Sequence, residues 1–397
     1  ILLFPLIAGI LVFQPQVNEY VGRPVAEFIV ILLILSITKG IVNNSLNGTH
    51  RVHLSAALST VSDLIQSMCM VALVFLGWGL TGMLSGYALG IIIISIIGIC
   101  IVHPSPERPS QEHFIRLWNY AKFSWIGSVQ SKTFHKADIL ILGLFVSAGL
   151  TGVYAVAYTL ATFLGILGSA MNNVFFPEMS RLSAQNKIKE IGSLTNDAVT
   201  FSGVFFIPGV VGATVLGDRL LRIYGTSFEK GHWILVILLI ALSIYAYTKQ
   251  LLNALNAVDR PDLAFRANGL FVATNVALNF GLVWAVGWYG AAVATAVSAT
   301  VGLVAAYYYF YQLVPLSIPI AEIIRQVTAA GIMGIAVAGA LALGENSFGW
   351  INSHNIVFVI LLVTFGAVVY FIVLFFIFVR MRKAIKDNIL AIFMTVE

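Results

Sequence analysis

The chain has 397 residues, of which 59% are hydrophobic and only 10% charged, and its mean hydropathy is +0.94. Soluble domains contain about 45–50% apolar and about 25% charged residues, so this composition excludes a soluble domain. The formal net charge of +5 is spread along the chain rather than clustered, which argues against a nucleic-acid-binding surface.

About twelve apolar segments are long enough to cross a bilayer, because a spanning α-helix needs roughly 20 apolar residues. In chain order they cover residues 1–13, 24–45, 54–76, 79–101, 123–146, 151–177, 197–222, 231–256, 263–286, 289–312, 319–343 and 355–380. Several, such as residues 356–363, are apolar on all sides, unlike the alternating strands of a β-barrel. We therefore predict an all-α polytopic membrane protein with short loops.

Lysine and arginine residues favour one side of the predicted membrane. They follow the even-numbered segments, as Arg51, Arg181 and Arg260 do, and they continue into the tail after Arg380. Cytoplasmic loops carry such an excess of positive charge. We therefore predict a multi-pass protein of the cell membrane with a cytoplasmic C-terminus.

Two turns of the chain have nearly the same sequence. Residues 46–54 and 255–263 match at Leu, Asn, Arg and Leu, with 209 residues between equivalent positions, and each following segment ends in Gly-Trp. Because six segments separate the copies, the repeat predicts two parallel lobes of six helices, as in many transporters. The first lobe then lacks about two helices at its N-terminus. Four turn residues are predicted to be cytoplasmic hinges with a structural role: Asn47, Arg51, Asn256 and Arg260.

The repeat also predicts four regions along the chain. These are an incomplete N-terminal lobe at 1–101, a cytoplasmic linker at 102–122, a six-helix C-terminal lobe at 123–312, and a further helix pair with a basic tail at 313–397. The linker mixes aromatic and charged residues, which suits a segment lying at the level of the lipid headgroups.

The fifth segment carries ionisable residues where a spanning helix is normally apolar. Lys132, His135 and Lys136 fall on one stripe of that helix, and Asp138 lies about one turn beyond His135. Such groups cost about 2.5–3.5 kcal/mol each at the bilayer centre and generally face a bundle interior or a water-filled cavity. We interpret the stripe as a binding site for an anionic group such as phosphate. The alternative is a shallower helix whose charged side chains extend to the interface.

Other polar residues within apolar segments are weaker candidates. Asp63 is a candidate for ion coupling, whereas Tyr154 and Tyr158 are candidates for contacts with sugar hydroxyls or for hydrogen bonds between helices. The cytoplasmic end of the eighth segment suggests a gate formed by Tyr245, Lys249 and Asn253. Helical spacing predicts contacts between helices for Asn268, Asn275 and Asn279. On the outer side, we expect a neutralised surface cluster of Arg219, Arg222, Asp218 and Glu229.

Several short motifs, taken in order, resemble the polysaccharide-biosynthesis flippases of the multidrug/oligosaccharidyl-lipid/polysaccharide exporter superfamily. They lie at residues 138–143, 152–158, 176–182, 220–225, 259–261 and 290–295. The third motif, Phe176-Pro177-Glu178-Met179-Ser180-Arg181-Leu182, is expected to enter a long cytoplasmic loop. The resemblance covers nearly the whole chain and is strongest from about residue 120 to residue 310.

This resemblance implies two six-helix lobes around a central cavity and the transport of polyprenyl-phosphate-linked oligosaccharides from the cytoplasmic to the outer leaflet. The partners it implies are the lipid-linked oligosaccharide, membrane lipid and glycan-assembly enzymes. The helix that matches the fifth segment lines the cavity in that family, which supports the assignment of Lys136 and its neighbours to substrate binding. The first two helices of the family have no counterpart in this sequence, in line with an incomplete first lobe.

Two other functions fit a polytopic membrane protein. A drug or cation antiporter of the same superfamily should have carboxylates dominating its cavity, whereas the fifth segment is net basic. A glycosyltransferase or polymerase normally needs a large outer loop or an acid pair, and no loop in the sequence is long enough. The sequence contains no metal-ligand spacing, phosphate-binding loop or catalytic triad, so we predict neither an enzyme nor a cofactor or metal.

Overall fold

The computed structural model describes residues 3–21, 25–48, 51–102, 110–111, 137–316, 319–347 and 354–377. Throughout these ranges the regular elements are helices. Eight helical stretches within them are long and apolar enough to span a membrane. The predicted fold class, an all-α polytopic membrane protein, is confirmed.

The helices divide into two compact units. Unit 1 (Ile1–Ile126) contains α1 (Leu3–Val12), α2 (Gln14–Val21), α3 (Ala26–Gly48), α4 (Val52–Leu73), a π-helical turn (Val74–Trp78) and α5 (Gly79–Val102). Unit 2 (Gly127–Glu397) contains α6 (Ala137–Phe145), α7 (Ala148–Phe163), α8 (Gly165–Ala184), α9 (Ile188–Arg222), a 3-10 turn (Thr226–Gly231), α10 (His232–Ala257), α11 (Pro261–Val286), α12 (Trp288–Tyr311), α13 (Ile320–Ser347) and α14 (Asn355–Ile377). Most of the predicted linker, residues 102–122, lies outside the described residues.

The expectation of a long cytoplasmic loop after residue 182 is wrong. Helix α8 continues to Ala184 and α9 begins at Ile188, so only residues 185–187 lie between them. The polar composition of this stretch suggested a loop. However, ion pairs between residues three apart, Arg181 with Glu178 and Lys187 with Glu190, stabilise helical turns that extend beyond the apolar segments.

Small residues at four-residue intervals let α5 pack closely on α4. A Cβ atom at Gly86 would lie 2.5 Å from the backbone nitrogen of Met70, and one at Gly82 would lie 2.9 Å from the carbonyl oxygen of Leu73. Gly90 packs against Gln66 in the same way. Such small-residue stripes are a common means of helix association in membranes, where lipid supplies no hydrophobic drive.

The repeated turn has the same backbone hydrogen bonds in both units. The Arg51 N–H donates to the Leu46 carbonyl at 2.9 Å, and the Arg260 N–H donates to the Leu255 carbonyl at 2.9 Å. One turn later the N–H of Leu54 donates to the Arg51 carbonyl, as that of Leu263 does to Arg260. The sequence repeat therefore encodes a repeated local structure.

The four predicted hinge residues differ in what the structure shows of them. The side chain of Asn47 lies outside the described residues, and Asn256 is exposed in the last turn of α10. Arg51 is exposed at the start of α4. The Arg260 guanidinium donates hydrogen bonds to Asp262, and this contact raises the pKa of Arg260. An arginine is charged at neutral pH in any environment of this kind, so the anchoring role of Arg260 stays a prediction.

The similarity of the units continues into the next helix. Gly77, Gly79 and Gly287 lie at the two corresponding junctions with φ of +86°, +53° and +65°, a region that side chains rarely adopt. Near the start of each next helix, Gly82 and Gly290 lie so close to the backbone of the preceding helix that an added Cβ would overlap it. Each unit thus contains the same construction of a helix, a glycine kink and a close-packed second helix.

Arg219 does not belong to the expected surface cluster. Its side chain is buried, lies 2.6 Å from Glu345 at the end of α13, and donates to the Asn355 side chain at 3.3 Å at the start of α14. Arg222, in contrast, pairs with Glu229 at 2.7 Å, as the sequence suggested. Glu345 is too distant in sequence for residue proximity to identify it as the partner. Arg219 therefore fastens the C-terminal helix pair to α9.

Candidate functional site

A buried polar cluster lies in unit 2 where four helices meet. Its centre is the carboxylate of Asp138 at the start of α6, and this residue is only 6% exposed. The side chains around it come from α7, α11 and α12, and they are equally buried. The surrounding residues are apolar, among them Leu142, Ala157 and Leu238, which form one hydrophobic core with Tyr154. A charge at this position needs hydrogen bonds, because burial removes its water.

Three side chains supply those hydrogen bonds to Asp138. Tyr154 Oη donates to Oδ2 at 2.9 Å, and Thr295 Oγ1 donates to the same oxygen at 2.5 Å. Asn279 Nδ2 donates to Oδ1 at 2.8 Å, and Asn275 Nδ2 donates to Thr295 Oγ1 at 3.3 Å. Within the described part of the chain, the donors to this carboxylate are all neutral. These hydrogen bonds therefore fix the orientation of the Asp138 carboxyl group.

A cavity of about 170 Å³ opens beside the cluster. Asp138, Asn275 and Thr295 form its polar wall, and aromatic residues form much of the remainder. The complete lining consists of Asp138, Tyr158, Thr162, Gly165, Phe206, Leu242, Tyr245, Ala246, Lys249, Gln250, Phe271, Asn275 and Thr295. Ligand pockets usually measure about 300–1,000 Å³, so this cavity is large enough for one polar group rather than for a whole oligosaccharide.

Among the described residues that line this cavity, Lys249 carries the positive charge. It lies on α10, two turns before the repeated turn at residues 255–263, and its side chain is partly buried. Tyr245, one turn earlier on the same helix, packs its ring 5.1 Å from that of Phe271. The cavity therefore places a lysine ammonium, a carboxylate and aromatic surfaces together inside a membrane-spanning bundle. Ammonium groups bind phosphate as compact point charges, and aromatic faces suit sugar rings.

The predicted site residues fall into three groups. Lys132, His135 and Lys136 lie outside the described residues. Asp138 and Tyr158 line the cavity, whereas Tyr154 is completely buried and does not line it. Of the three asparagines expected to join helices, Asn275 and Asn279 do so through Thr295 and Asp138.

Asp63, the candidate for ion coupling, lies in unit 1 and is described separately. Its Oδ1 is 3.3 Å from Lys39 Nζ on α3, and its side chain is 72% exposed. No group of three or more His, Cys, Asp or Glu side chains that could hold a metal ion occurs among the described residues. The ion-coupling role of Asp63 stays a prediction.

Sequence reasoning missed two residues of these sites. Thr295 lies in the motif at 290–295 that supported the family resemblance, but its hydroxyl was not singled out. Lys39 is the single cation of a long apolar segment, and a lone charge of this kind is easily taken for an interfacial one. In both cases, a polar residue in the middle of an apolar segment is the sequence feature that could have identified the residue.

Comparisons with known families agree with this architecture. A family model described as "Polysaccharide biosynthesis protein" matches residues 4–230, and one described as "Lipid II flippase MurJ" matches residues 140–365. Each match covers more than half of the chain. The two models overlap at residues 140–230, within unit 2.

Two proteins of Haloferax volcanii are similar over most of their length. "Probable flippase AglR" is 28% identical over 333 residues, which are 83% of this chain and 70% of that protein. "Probable low-salt glycan biosynthesis flippase Agl15" is 28% identical over 322 residues, 80% of this chain and 68% of that protein. The solved structure of "Lipid II flippase MurJ, inward closed conformation" has a TM-score of 0.74 at 16% identity, covering 97% of this chain and 82% of that one. This last similarity is one of fold.

Proposed function

The chain belongs to the polysaccharide biosynthesis protein family, and from this premise we propose that it is a flippase for a lipid-linked oligosaccharide. It moves a glycan carried on polyprenyl phosphate or pyrophosphate from the cytoplasmic to the outer leaflet of the cell membrane. The names of its relatives, which are flippases of glycan biosynthesis, support this substrate class. Its relatives are transporters, and the chain is not an enzyme.

The cavity of unit 2 is the observation that carries the proposal. Lys249 and Asp138 line one cavity inside a membrane-spanning bundle, where each ionisable group raises the cost of insertion. Such groups persist where a polar substrate must cross. The phosphate of the substrate would pair with the Lys249 ammonium, and its sugars would contact the rings and hydroxyls of Tyr158 and Tyr245. The isoprenoid chain would stay in the lipid.

The predicted stripe on the fifth segment extends this site. We propose that Lys132, His135 and Lys136 add positive charge next to Asp138 and bind the phosphate together with Lys249. Asp138 positions the polar side chains that line the cavity. The Tyr154 hydroxyl, which does not line the cavity, donates a hydrogen bond to Asp138 and keeps it in place. The volume of about 170 Å³ then corresponds to the part of the substrate next to the phosphate, with the rest of the glycan accommodated when the transporter opens.

Transport follows from alternating access, the movement expected of transporters built from repeated helical units. The repeated turns at residues 46–54 and 255–263 give each unit an equivalent cytoplasmic end. We propose that they act as hinges, with Arg51 and Arg260 anchored among anionic headgroups and the C-terminus in the cytoplasm. Asp63 is the proposed site through which an ion gradient contributes, and enzymes of glycan assembly are the proposed suppliers of the substrate.

The test is translocation of a labelled polyprenyl-phosphate-linked oligosaccharide by the purified full-length protein in liposomes. We expect protein-dependent transfer between leaflets, and we expect Lys249→Ala to reduce it at least ten-fold. Lys230→Ala is the matched control, because Lys230 lies in the 3-10 turn before α10 and does not line the cavity. Transport of a cationic dye but not of the labelled lipid would instead identify an antiporter and overturn the proposal.

A further inference from the structure

Helix α4 has three faces of different chemistry. One is buried and includes Leu58, Ser62 and Gln66. A second is exposed and apolar, as contact with lipid chains requires, and consists of Val61, Leu64, Met68 and Val71. The third is exposed and polar, with Thr60, Asp63 and Ser67 at the helical spacing of three and four residues.

Helix α3 carries a matching polar stripe. Ser36, Lys39 and Asn43 have the same spacing of three and four residues, and Lys39 Nζ lies 3.3 Å from Asp63 Oδ1 on α4. The ion pair therefore joins two polar stripes on neighbouring helices. The rest of α3 is predominantly apolar, with exposed residues such as Ile31, Ile34 and Ile41.

The pair lies deep within the spanning helices. At 1.5 Å per residue, Lys39 is about 20 Å from Ala26 and about 14 Å from Gly48 along α3. Asp63 is about 16 Å from Val52 along α4 by the same rise. Polar groups at this depth face a water-filled space or a protein interior rather than lipid. The described helices leave 72% of the Asp63 side chain uncovered, and we take the space beside it to be water-filled.

The exposure of the Lys39–Asp63 ion pair makes its carboxylate easy to replace with another anion. Exposed ion pairs contribute little stability, because water and long side-chain entropy offset their attraction. A phosphate group carries up to two negative charges and several acceptor oxygens, so it competes well with one exposed carboxylate for an ammonium. Lys39 is 21% exposed and can reach such a ligand without unpacking the helices.

We infer that Lys39 is a phosphate-binding residue of unit 1 and that Asp63 is its exchangeable counter-ion. In the resting protein Asp63 neutralises Lys39, and an entering phosphate headgroup takes the place of the carboxylate. When Asp63 returns to Lys39, it displaces the phosphate and promotes release. The identification of the ligand as the headgroup of a lipid-linked glycan rests on the proposed function, whereas the anion-binding property itself does not.

Binding of polyprenyl phosphate to the full-length protein in nanodiscs tests this exchange. Removal of the competitor in Asp63→Asn should tighten binding between about two- and five-fold, the range of a weak exposed ion pair. Removal of the cation in Lys39→Met should weaken binding about ten-fold or more, as expected for a hydrogen bond to a charged group. Lys39→Arg keeps the charge and should retain binding within about three-fold of wild type.

The charge-exchanged double variant Lys39→Asp with Asp63→Lys separates a binding role from a structural one. It retains an ion pair between α3 and α4 but moves the ammonium to the other helix, so we expect stability near wild type and weakened binding. Full recovery of binding in this variant, or unchanged binding in Asp63→Asn, would overturn the inference. Ser67→Ala, on the same polar face without a charge, is the matched control and should bind as wild type does.

Two further experiments are needed. One distinguishes a lipid headgroup from a free anion as the ligand, and the other distinguishes failure of this inference from failure of the proposed function. Inorganic pyrophosphate should bind more weakly than polyprenyl phosphate, and equal affinity for both would refute a lipid headgroup as the ligand. Translocation by wild type with no effect of either single variant refutes this inference and the ion-coupling role of Asp63, and it leaves the proposed flippase function standing. Absence of translocation by wild type refutes the proposed function, while the binding response of Asp63→Asn still decides the role of Lys39.

Discussion

Single residues around Asp138 are predicted to have separable roles in stability and in substrate contact. Tyr154 and Tyr158 lie one turn apart on α7, yet only Tyr154 has its hydroxyl within hydrogen-bond distance of Asp138 in the described structure. Tyr158 faces the cavity instead. The same chemical change, loss of one hydroxyl, should therefore have different consequences at the two positions.

Tyr154→Phe should lower the free energy of unfolding by about 1–2 kcal/mol, because it removes a hydrogen bond to a buried carboxylate. Tyr158→Phe should leave stability unchanged and reduce the apparent affinity for the lipid-linked substrate. Thermal unfolding in detergent and translocation in liposomes measure the two effects. Equal loss of stability in both variants would contradict the separation of roles.

The stripe on the fifth segment gives a second prediction at this scale. Lys136→Ala should abolish translocation and leave membrane insertion intact, because the lysine is predicted to bind the phosphate rather than to support the fold. Translocation and the amount of inserted protein are the two measurements. Normal transport by this variant would remove Lys136 from the site, and Lys230→Ala provides a basic-residue control outside the cavity.

At the level of helices, stability depends on how closely small residues allow pairs to approach. Gly86→Ala should destabilise unit 1 by about 1–3 kcal/mol, because its Cβ would overlap the backbone of α4 near Met70. Gly281→Ala is the control, since a Cβ on Gly281 meets nothing within 4 Å. The control should be neutral or slightly stabilising through higher helix propensity. Thermal unfolding of both variants measures the difference, and similar behaviour would contradict the packing explanation.

A buried guanidinium adds to the apolar core that α13 and α14 share with α9. Arg219 contacts Glu345 and Asn355 and lies 5.3 Å from the ring of Phe358. Arg219→Lys should cost about 1–3 kcal/mol, because an ammonium cannot keep both polar contacts and the ring contact. Arg222→Lys, in a more exposed pair with Glu229, should cost under about 1 kcal/mol. Equal losses of thermal stability would indicate that Arg219 has no special fastening role.

Helices were more predictable than the contacts between them. The last five, α10 to α14, begin and end close to the predicted positions because long apolar runs between polar turns leave few alternatives. The motifs that resembled the family led to the correct family. Asp138 was identified by its depth, but its partners Thr295 and Asn279 come from helices more than 140 residues away. Their arrangement depends on tertiary packing, which helical periodicity does not contain.

Across the whole molecule, the repeat connects the two proposed anion sites. In each unit the helix that precedes the repeated turn carries a lysine six or seven residues before the turn's first leucine: Lys39 before Leu46 and Lys249 before Leu255. Lys39 pairs with Asp63 in unit 1, and Lys249 lines the same cavity as Asp138 in unit 2. The carboxylates differ in exposure, since the Asp63 side chain is mostly exposed and Asp138 is a buried residue. Unit 1 is therefore suited to exchange of its counter-ion, and unit 2 to fixed orientation.

Orientation of the whole chain is the remaining prediction, and cysteine labelling tests it directly. The sequence has two cysteines, Cys69 and Cys100, so a cysteine-free background is accessible by two substitutions. Single cysteines at Gln185 or Asp259 should react with an impermeant maleimide only from the cytoplasmic side, because lysine and arginine flank those turns. A cysteine at Thr226 should react only from outside. Reaction of all three from one side would contradict the predicted topology, since α9 and α10 must carry the chain across the membrane and back between these sites.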